Sequence, residues 1–98
     1  MNQYKDKCFK NIDWIIDQLE KENIRQIEKW GVQICSIFEW LAYTAEEFGS
    51  LAKAINEHEY RGGSKEKIIS EAFQVATLAV KIAEMYKNEG NIFKKKEE

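Results

Sequence analysis

The sequence predicts an all-α fold, and three observations support this prediction. The 98 residues contain no proline, few of the five glycines fall inside apolar runs, and apolar residues recur at spacings of three and four. Such spacing is typical of amphipathic helices. We expect a long-helix bundle with three main helices in a single domain over residues 1–90, followed by a polar C-terminal tail over residues 91–98.

The first predicted helix begins near Asn2 and ends near Trp30, where Gly31 provides a stop. Its apolar stripe lies on one face, but the spacing slips around Lys21–Asn23, and we expect a bend or a short break there. The stripe consists of Tyr4, Cys8, Ile12, Ile15, Ile16, Leu19, Ile24, Ile27 and Trp30.

The second predicted helix has a clear beginning and a clear end. Ser36 and Glu39 fit a capping box, in which each side chain binds a free backbone N–H group of the other residue. The helix is expected to run to about Glu59, and Arg61-Gly62-Gly63 ends it. Its wide apolar stripe consists of Ile37, Trp40, Leu41, Ala45, Phe48, Leu51, Ala52 and Ile55.

The third predicted helix begins after Ser64, a residue type that favours the N-cap position, and Gly90 is a natural residue to follow its end. Apolar residues surround this helix almost completely, which is typical of helices that are buried on more than one side. Two neighbouring helices are not expected to bury the whole apolar surface of the third. We therefore expect a homo-oligomer, either a dimer or a tetramer.

Composition argues against several classes of function. A net charge of −2 argues against binding to a nucleic acid polymer, which depends on neutralising phosphates. No apolar run approaches the length of a membrane span, and the polar first residues lead us to expect no signal peptide. Cys8 and Cys35 match no metal-binding spacing and are interpreted as reduced thiols, so we expect a cytoplasmic protein.

Two acidic residues stand next to apolar ones in segments that appear packed. Glu47 and Ser50 are three residues apart on the second helix, and Glu71 and Gln74 are three apart on the third, so each pair points to one side. Glu47 and Glu71 can face each other if the two helices are antiparallel. A divalent cation such as Mg²⁺ is one partner for carboxylates placed in this way.

These residues belong to an ordered set of short motifs between Gln26 and Met85. The motifs are Lys29-Trp30-Gly31-Val32-Gln33, Trp40, Glu46-Glu47-Phe48-Gly49, Leu51-Ala52, Arg61-Gly62-Gly63 and Glu71-Ala72-Phe73-Gln74-Val75-Ala76. In this set the chain resembles the MazG-like family of all-α nucleoside triphosphate pyrophosphohydrolases. The resemblance implies a homo-oligomer that binds nucleotides with Mg²⁺, or with Mn²⁺ in its place, and releases a monophosphate and pyrophosphate.

The resemblance also implies which residues hold the metal. Glu47 and Glu71 match the leading glutamates of the family's Glu-x-x-Glu and Glu-x-x-Asp motifs, and both would be catalytic. Ser50 and Gln74 stand where the family has its other two carboxylates. Each departure removes a negative charge, so the resemblance implies a weakened metal site. Glu46 does not replace Ser50, because it points about 100° away from Glu47 around the helix.

Three functions remain open from the sequence. The first is a Mg²⁺-dependent pyrophosphohydrolase. The second is an inactive binding protein that sequesters a nucleotide immune signal, in the manner of a phage sponge. The third is a purely structural helical oligomer in which Glu47 and Glu71 are surface charges paired with lysines.

Five further residues are candidates for contact with a nucleotide. Trp30, Trp40 and Tyr43 are able to stack on a base, although aromatic residues at helical spacing are also typical of a core. Arg61 and Lys65 are candidates for phosphate contact, with a plain turn and solvated lysines as the alternatives.

Overall fold

The computed structural model describes residues 6–31 and 34–88. These two ranges contain three helices and no strand: α1 (Ile12–Trp30), α2 (Ile37–Arg61) and α3 (Lys65–Lys87). The prediction of an all-α fold is confirmed for this part of the chain. The predictions that concern Gly90 and the tail over residues 91–98 lie outside the described residues.

The predicted capping box at the start of α2 is confirmed. The Glu39 N–H donates to the Ser36 hydroxyl oxygen at 3.2 Å, and the Ser36 N–H donates to the Glu39 carboxylate at 3.1 Å. α2 ends at Gly62, whose φ of 70° lies in the left-handed region that favours glycine. A side chain at Gly63 would meet the backbone of Glu57 at 3.1 Å, so both glycines are required for this turn.

α2 and α3 form an antiparallel hairpin that contains most of the tertiary packing. The N-cap prediction for Ser64 is confirmed, because its hydroxyl accepts from the Lys67 N–H at 3.3 Å. A small core lies toward the open end of the hairpin and consists of Cys35, Trp40, Leu78 and Met85. α1 packs against α3, whereas none of its described α-carbons comes within 8 Å of one in α2.

The first predicted helix differs from the structure at two points. Asp6 and Lys7 are helical, but the chain bends at Cys8 and Phe9, where Phe9 has a φ of 60°, and α1 begins at Ile12; the predicted start near Asn2 lies outside the described residues. α1 is also continuous through Lys21–Asn23, where a bend or a short break was expected. The slip in apolar spacing marks a change in the residues that face inward, because polar Glu22 and Gln26 are buried there.

Much of the apolar surface of the helices remains exposed. α2 carries a second apolar stripe on the side away from the core, which we call the outer stripe. Its six residues are Phe38, Leu41, Ala45, Phe48, Ala52 and Ile55, all of them exposed. Phe38 is 77% exposed and Phe48 is 61% exposed, values that are high for side chains of this kind. In the described parts of the chain, no helix combines the length and the apolar character that a membrane span requires.

Candidate functional site

Glu47 and Glu71 lie in one electrostatic environment, although they come from different helices. Glu71 is buried on α3, with 6% of its surface exposed, and Glu47 is half-buried on α2. Burial raises the pKa of Glu47, and the negative charge of Glu71 raises it further. Glu71 is therefore not a surface charge, although it does pair with a lysine, Lys67, as that alternative expected.

One oxygen of the Glu71 carboxylate has no partner. Its Oε1 atom accepts from the Lys67 ammonium group at 3.1 Å, one turn earlier on α3. Its Oε2 atom is buried and lacks a hydrogen bond. An unpartnered carboxylate oxygen is costly inside a protein, and a cation is the partner that compensates it best.

A third carboxylate, which the sequence analysis missed, comes from α1. Glu22 is 9% exposed and binds the Arg25 guanidinium with both oxygens, at 2.8 and 2.7 Å. Its Oε2 atom also accepts from the Gln26 amide at 2.9 Å. The charge of Glu22 contributes to the raised pKa of Glu47. We call Glu22, Glu47 and Glu71 together the acid centre. The slipped apolar spacing on α1 was the sequence signal for Glu22.

Two cations of α1 stand beside the acid centre. The pKa of Arg25 is raised, first by its hydrogen bond to Glu22 and also by the charges of Glu47 and Glu71. Arg25 and Lys29 both oppose the upward shift of the Glu47 pKa. Their charged groups also lie near the Trp30 ring, at 5.7 and 5.0 Å from its centroid. Guanidinium and ammonium groups in this position are suited to binding phosphate.

The donor set can be compared with what a metal ion needs. Among the described residues, no group of three or more His, Cys, Asp or Glu side chains is arranged to hold a metal. Mg²⁺ needs less than this, because it commonly takes one or two carboxylates and fills its remaining positions with water and substrate phosphates. Lys67 binds one oxygen of Glu71, so the unpartnered Oε2 atom and the nearby Glu47 carboxylate are the oxygens that could hold such an ion.

Ser50 and Gln74, the other two predicted metal ligands, make local contacts. The Ser50 hydroxyl donates to the Glu46 carbonyl oxygen at 3.4 Å, and Ser50 is exposed. The Gln74 amide donates to the Ser70 hydroxyl at 3.3 Å. Neither contact involves Glu47 or Glu71, so the role of Ser50 and Gln74 in a metal site stays a prediction.

An open cleft of about 410 Å³ has Gln26, the hydrogen-bond partner of Glu22, in its lining, whereas Glu22, Glu47 and Glu71 do not line it. It lies between α1 and α3, and Trp40 from the start of α2 forms part of its wall. Gln26 lines this cleft and also belongs to the network around Glu22. Its amide oxygen accepts from the Lys81 ammonium group at 2.8 Å, a contact that ties α1 to α3. Burial lowers the pKa of Lys81, and Glu22 partly offsets this effect.

The residues predicted to contact a nucleotide fall into two sets. Trp30 and Trp40 both line the cleft, and Tyr43 packs edge-on against Trp40 with ring centroids 6.5 Å apart. Arg61 and Lys65 are exposed near the turn between α2 and α3. Arg61 is fourteen residues from Glu47, which corresponds to about 21 Å along a helix. The described contacts do not bring Arg61 to the acid centre.

The described residues form a small three-helix protein in which Glu22, Glu47 and Glu71 come together near a cleft between α1 and α3. No family model matches the chain, and neither a curated protein nor a solved structure matches it.

Proposed function

We propose that this protein binds nucleotide phosphates through Mg²⁺ or Mn²⁺ held by Glu47 and Glu71, and that it hydrolyses a nucleoside triphosphate to a monophosphate and pyrophosphate. The observation that carries the proposal is the buried Glu71 Oε2 atom, which lacks a partner although a second carboxylate is close. The resemblance to MazG-like enzymes supports the same assignment, because both glutamates match metal-binding positions of that family.

The residues of the chain have distinct roles in this proposal. Glu47 and Glu71 hold the cation, which supplies Lewis-acid chemistry at the phosphoryl group when it is bound. Arg25 and Lys29 bind phosphate oxygens that the cation leaves free. Glu22 orients Arg25 through its two hydrogen bonds, and so keeps the guanidinium group on the side of the acid centre.

Hydrolysis assays with matched variants test the enzymatic function. The protein is incubated with each NTP and dNTP in the presence of Mg²⁺ or Mn²⁺, and released pyrophosphate is measured. We expect release by the wild type, and a loss of at least about 100-fold in Glu47→Gln and Glu71→Gln. Glu46→Gln is the control, because Glu46 is an exposed neighbour on the same helix. Equal rates in all four proteins, or no release from any substrate, would contradict an enzymatic role.

A second function is favoured by the two missing carboxylates. Ser50 and Gln74 leave the site with less negative charge than the family motif implies. Lower negative charge weakens the binding of the metal, but it does not weaken the proposed contacts of Arg25 and Lys29 with phosphate. The alternative is therefore a binding protein that sequesters a nucleotide signal without cleaving it, like a phage sponge.

Calorimetry separates these two functions. Linear and cyclic nucleotides are titrated into the protein with and without Mg²⁺, and each bound ligand is then released by heating and identified by mass spectrometry. Intact ligand identifies a binding protein, whereas conversion to a monophosphate identifies an enzyme. Failure to bind any nucleotide would exclude both functions.

We also propose that the protein is a homo-oligomer assembled through the outer stripe of α2. The six residues of the stripe follow one another at intervals of 3, 4, 3, 4 and 3, the spacing of a helix-to-helix seam. Apolar side chains at this spacing on an exposed face need a partner surface, and the same stripe on a second copy provides one.

Analytical ultracentrifugation tests the assembly. We expect the wild type to sediment as a dimer or a tetramer, and Phe48→Glu to shift it toward the monomer. Lys53→Glu is the control, because Lys53 is an exposed residue of α2 outside the stripe. A monomeric wild type, or a Phe48→Glu variant that assembles as the wild type does, would contradict this interface.

A further inference from the structure

Lys81 places an amine in the wall of the cleft between α1 and α3. Its Nζ atom donates to the Gln26 amide oxygen at 2.8 Å, and Gln26 itself is buried on α1. This hydrogen bond holds the end of a long, flexible side chain in one position. Lys81 is partly exposed and borders the open space of the cleft, so a molecule that enters the cleft can reach it.

The Lys81 amine lacks the partner that a half-buried cation usually has. Among the described residues, no carboxylate forms an ion pair with it. Burial lowers the pKa of Lys81, and the charge of Glu22 offsets this effect only in part. A lowered pKa increases the share of neutral amine, which is the nucleophilic form of a lysine side chain and the form that reacts with carbonyl groups.

The other residues of the wall restrict what this amine meets. The charged residues that share the lining with Lys81 are Glu20 and Glu84, so the cleft has more negative than positive charge. An anionic ligand is therefore disfavoured. A neutral molecule with an apolar body and an electrophilic carbonyl group matches both the wall and the amine. Most of the remaining wall is apolar or aromatic, and it includes Ile16, Leu19, Ile27, Trp30, Leu78 and Val80.

We propose that this cleft binds a neutral, apolar aldehyde and that the Lys81 amine forms an imine with it. The amine nitrogen attacks the carbonyl carbon, a C=N bond replaces the C=O bond, and the oxygen leaves as water with both amine protons. The step needs no oxidant, reductant or metal ion. Glu20 and Glu84 favour the protonated imine, because their negative charges lie in the same cleft. This site is additional to the acid centre and does not depend on the proposed binding of nucleotides.

Reductive trapping tests the inference. The full chain is incubated with limiting naphthaldehyde, a neutral two-ring probe that a cleft of about 410 Å³ can accommodate. Sodium cyanoborohydride reduces each imine to a stable secondary amine, and peptide mass spectrometry locates the labelled lysines. We expect Lys81 to be labelled at least about tenfold faster than Lys53, because the cleft holds the aldehyde next to the amine. Lys53 is the internal control, since it is exposed on α2 and does not line the cleft.

Two competitors with the same ring system show whether the cleft binds the probe. Naphthalenemethanol is neutral and forms no imine, so an excess of it should slow the labelling of Lys81 and leave that of Lys53 unchanged. Naphthoate is anionic and should not compete, because the acids of the cleft disfavour it. Labelling of Lys81 that the alcohol does not slow would mean a reactive amine without a binding site, and would overturn the inference. Equal competition by naphthoate and the alcohol would overturn the choice of a neutral ligand.

Substitutions at Lys81 provide matched variants. Lys81→Arg keeps a positive charge and a donor for Gln26 but has no amine, whereas Lys81→Met keeps only the apolar part of the side chain. Both should lose the fast labelling, and Lys53 should be labelled in them as in the wild type. Unchanged total labelling in these variants, or equal labelling of Lys81 and Lys53 in the wild type, would overturn the inference. The second comparison decides alone if neither variant folds, and it requires no metal or nucleotide, so it is independent of the acid centre.

Discussion

Gln26 lines the cleft and hydrogen-bonds to Glu22 of the acid centre, yet the polar groups of the two regions differ in how they are paired. In the acid centre, Glu22 is fully engaged by Arg25 and Gln26, and only one oxygen of Glu71 is left without a partner. In the wall of the cleft, the Trp40 N–H and the Thr77 hydroxyl are buried and lack a hydrogen-bond partner. The acid centre consists of charged groups, whereas the lining of the cleft combines apolar residues with the charged side chains of Glu20, Lys81 and Glu84.

Under the proposed function, the carboxylates and the guanidinium group of the acid centre would contact a metal ion and phosphate, because charged hydrogen bonds are the strong ones. The apolar part of the cleft wall depends on packing instead. The effects of substitutions on stability should therefore differ between the two regions, in size and even in sign.

The largest effect on stability is expected at Arg25. In Arg25→Ala, Glu22 remains buried without its main partner, and we expect the free energy of unfolding to fall by about 1–3 kcal/mol. Arg25→Lys keeps the charge but loses the bidentate contact with Glu22. Its free energy of unfolding should lie between those of the wild type and Arg25→Ala. Urea denaturation measures both variants. If Arg25→Ala were as stable as the wild type, the Arg25–Glu22 pair would not stabilise the fold. The acid centre would then not differ from the cleft in this respect.

A smaller effect, with a distinctive dependence on pH, is expected for Glu47→Gln. The pKa of Glu47 in the folded state is raised above its ordinary value of 4.5, first by burial and then by Glu71. Folding therefore favours the protonated form, and the stability of the fold falls as the pH rises from 4.5 to the raised pKa. We expect Glu47→Gln to have the higher Tm at pH 7, and the difference to vanish well below pH 4.5, where the carboxyl group is protonated in both the folded and the unfolded state.

Thermal scans across pH measure this difference, with Glu46→Gln as the control at an exposed position. A Glu47→Gln protein that is less stable than the wild type at pH 7 would show that the Glu47 carboxylate stabilises the fold. That result would contradict the expectation that the ionised Glu47 carboxylate destabilises the fold.

The smallest effect is expected for Ser50→Glu, which introduces a carboxylate where the MazG-like motif that the sequence resembles has one. Ser50 is one turn after Glu47 on α2 and is exposed, so a longer acidic side chain has room to reach a cation at Glu47. We expect a modest rise in affinity for Mn²⁺, measured by calorimetry. Lys53→Glu adds an acid elsewhere on α2 and serves as the control. Unchanged affinity in Ser50→Glu would mean that Ser50 does not face the metal.

The sequence was sufficient for the parts of the fold that depend on local chemistry. The capping box of Ser36 and Glu39, the N-cap at Ser64 and the stop at Arg61-Gly62-Gly63 depend on residues within a few positions of one another, and all three are confirmed. The bend at Cys8 and Phe9 was missed, because no glycine or proline marks it.

The site was less predictable, because it depends on contacts between helices that are distant in sequence. The periodicity of α1 showed a slip near Glu22, but it did not show that a buried carboxylate caused the slip. Thr77 and Lys81 look like ordinary members of an apolar helix until α1 is placed against α3. The pairing of Glu47 with Glu71 was accessible from the sequence because a short turn joins their helices.

Binding of Mn²⁺ followed by electron paramagnetic resonance tests the central claim most directly, because it reports the metal without requiring turnover. The wild type, Glu46→Gln, Glu47→Gln and Glu71→Gln are compared with and without pyrophosphate. We predict that the wild type and Glu46→Gln bind Mn²⁺, that pyrophosphate strengthens this binding, and that Glu47→Gln and Glu71→Gln lose it. Equal binding by all four proteins, or no binding by the wild type, would contradict the claim that these two carboxylates form a metal site.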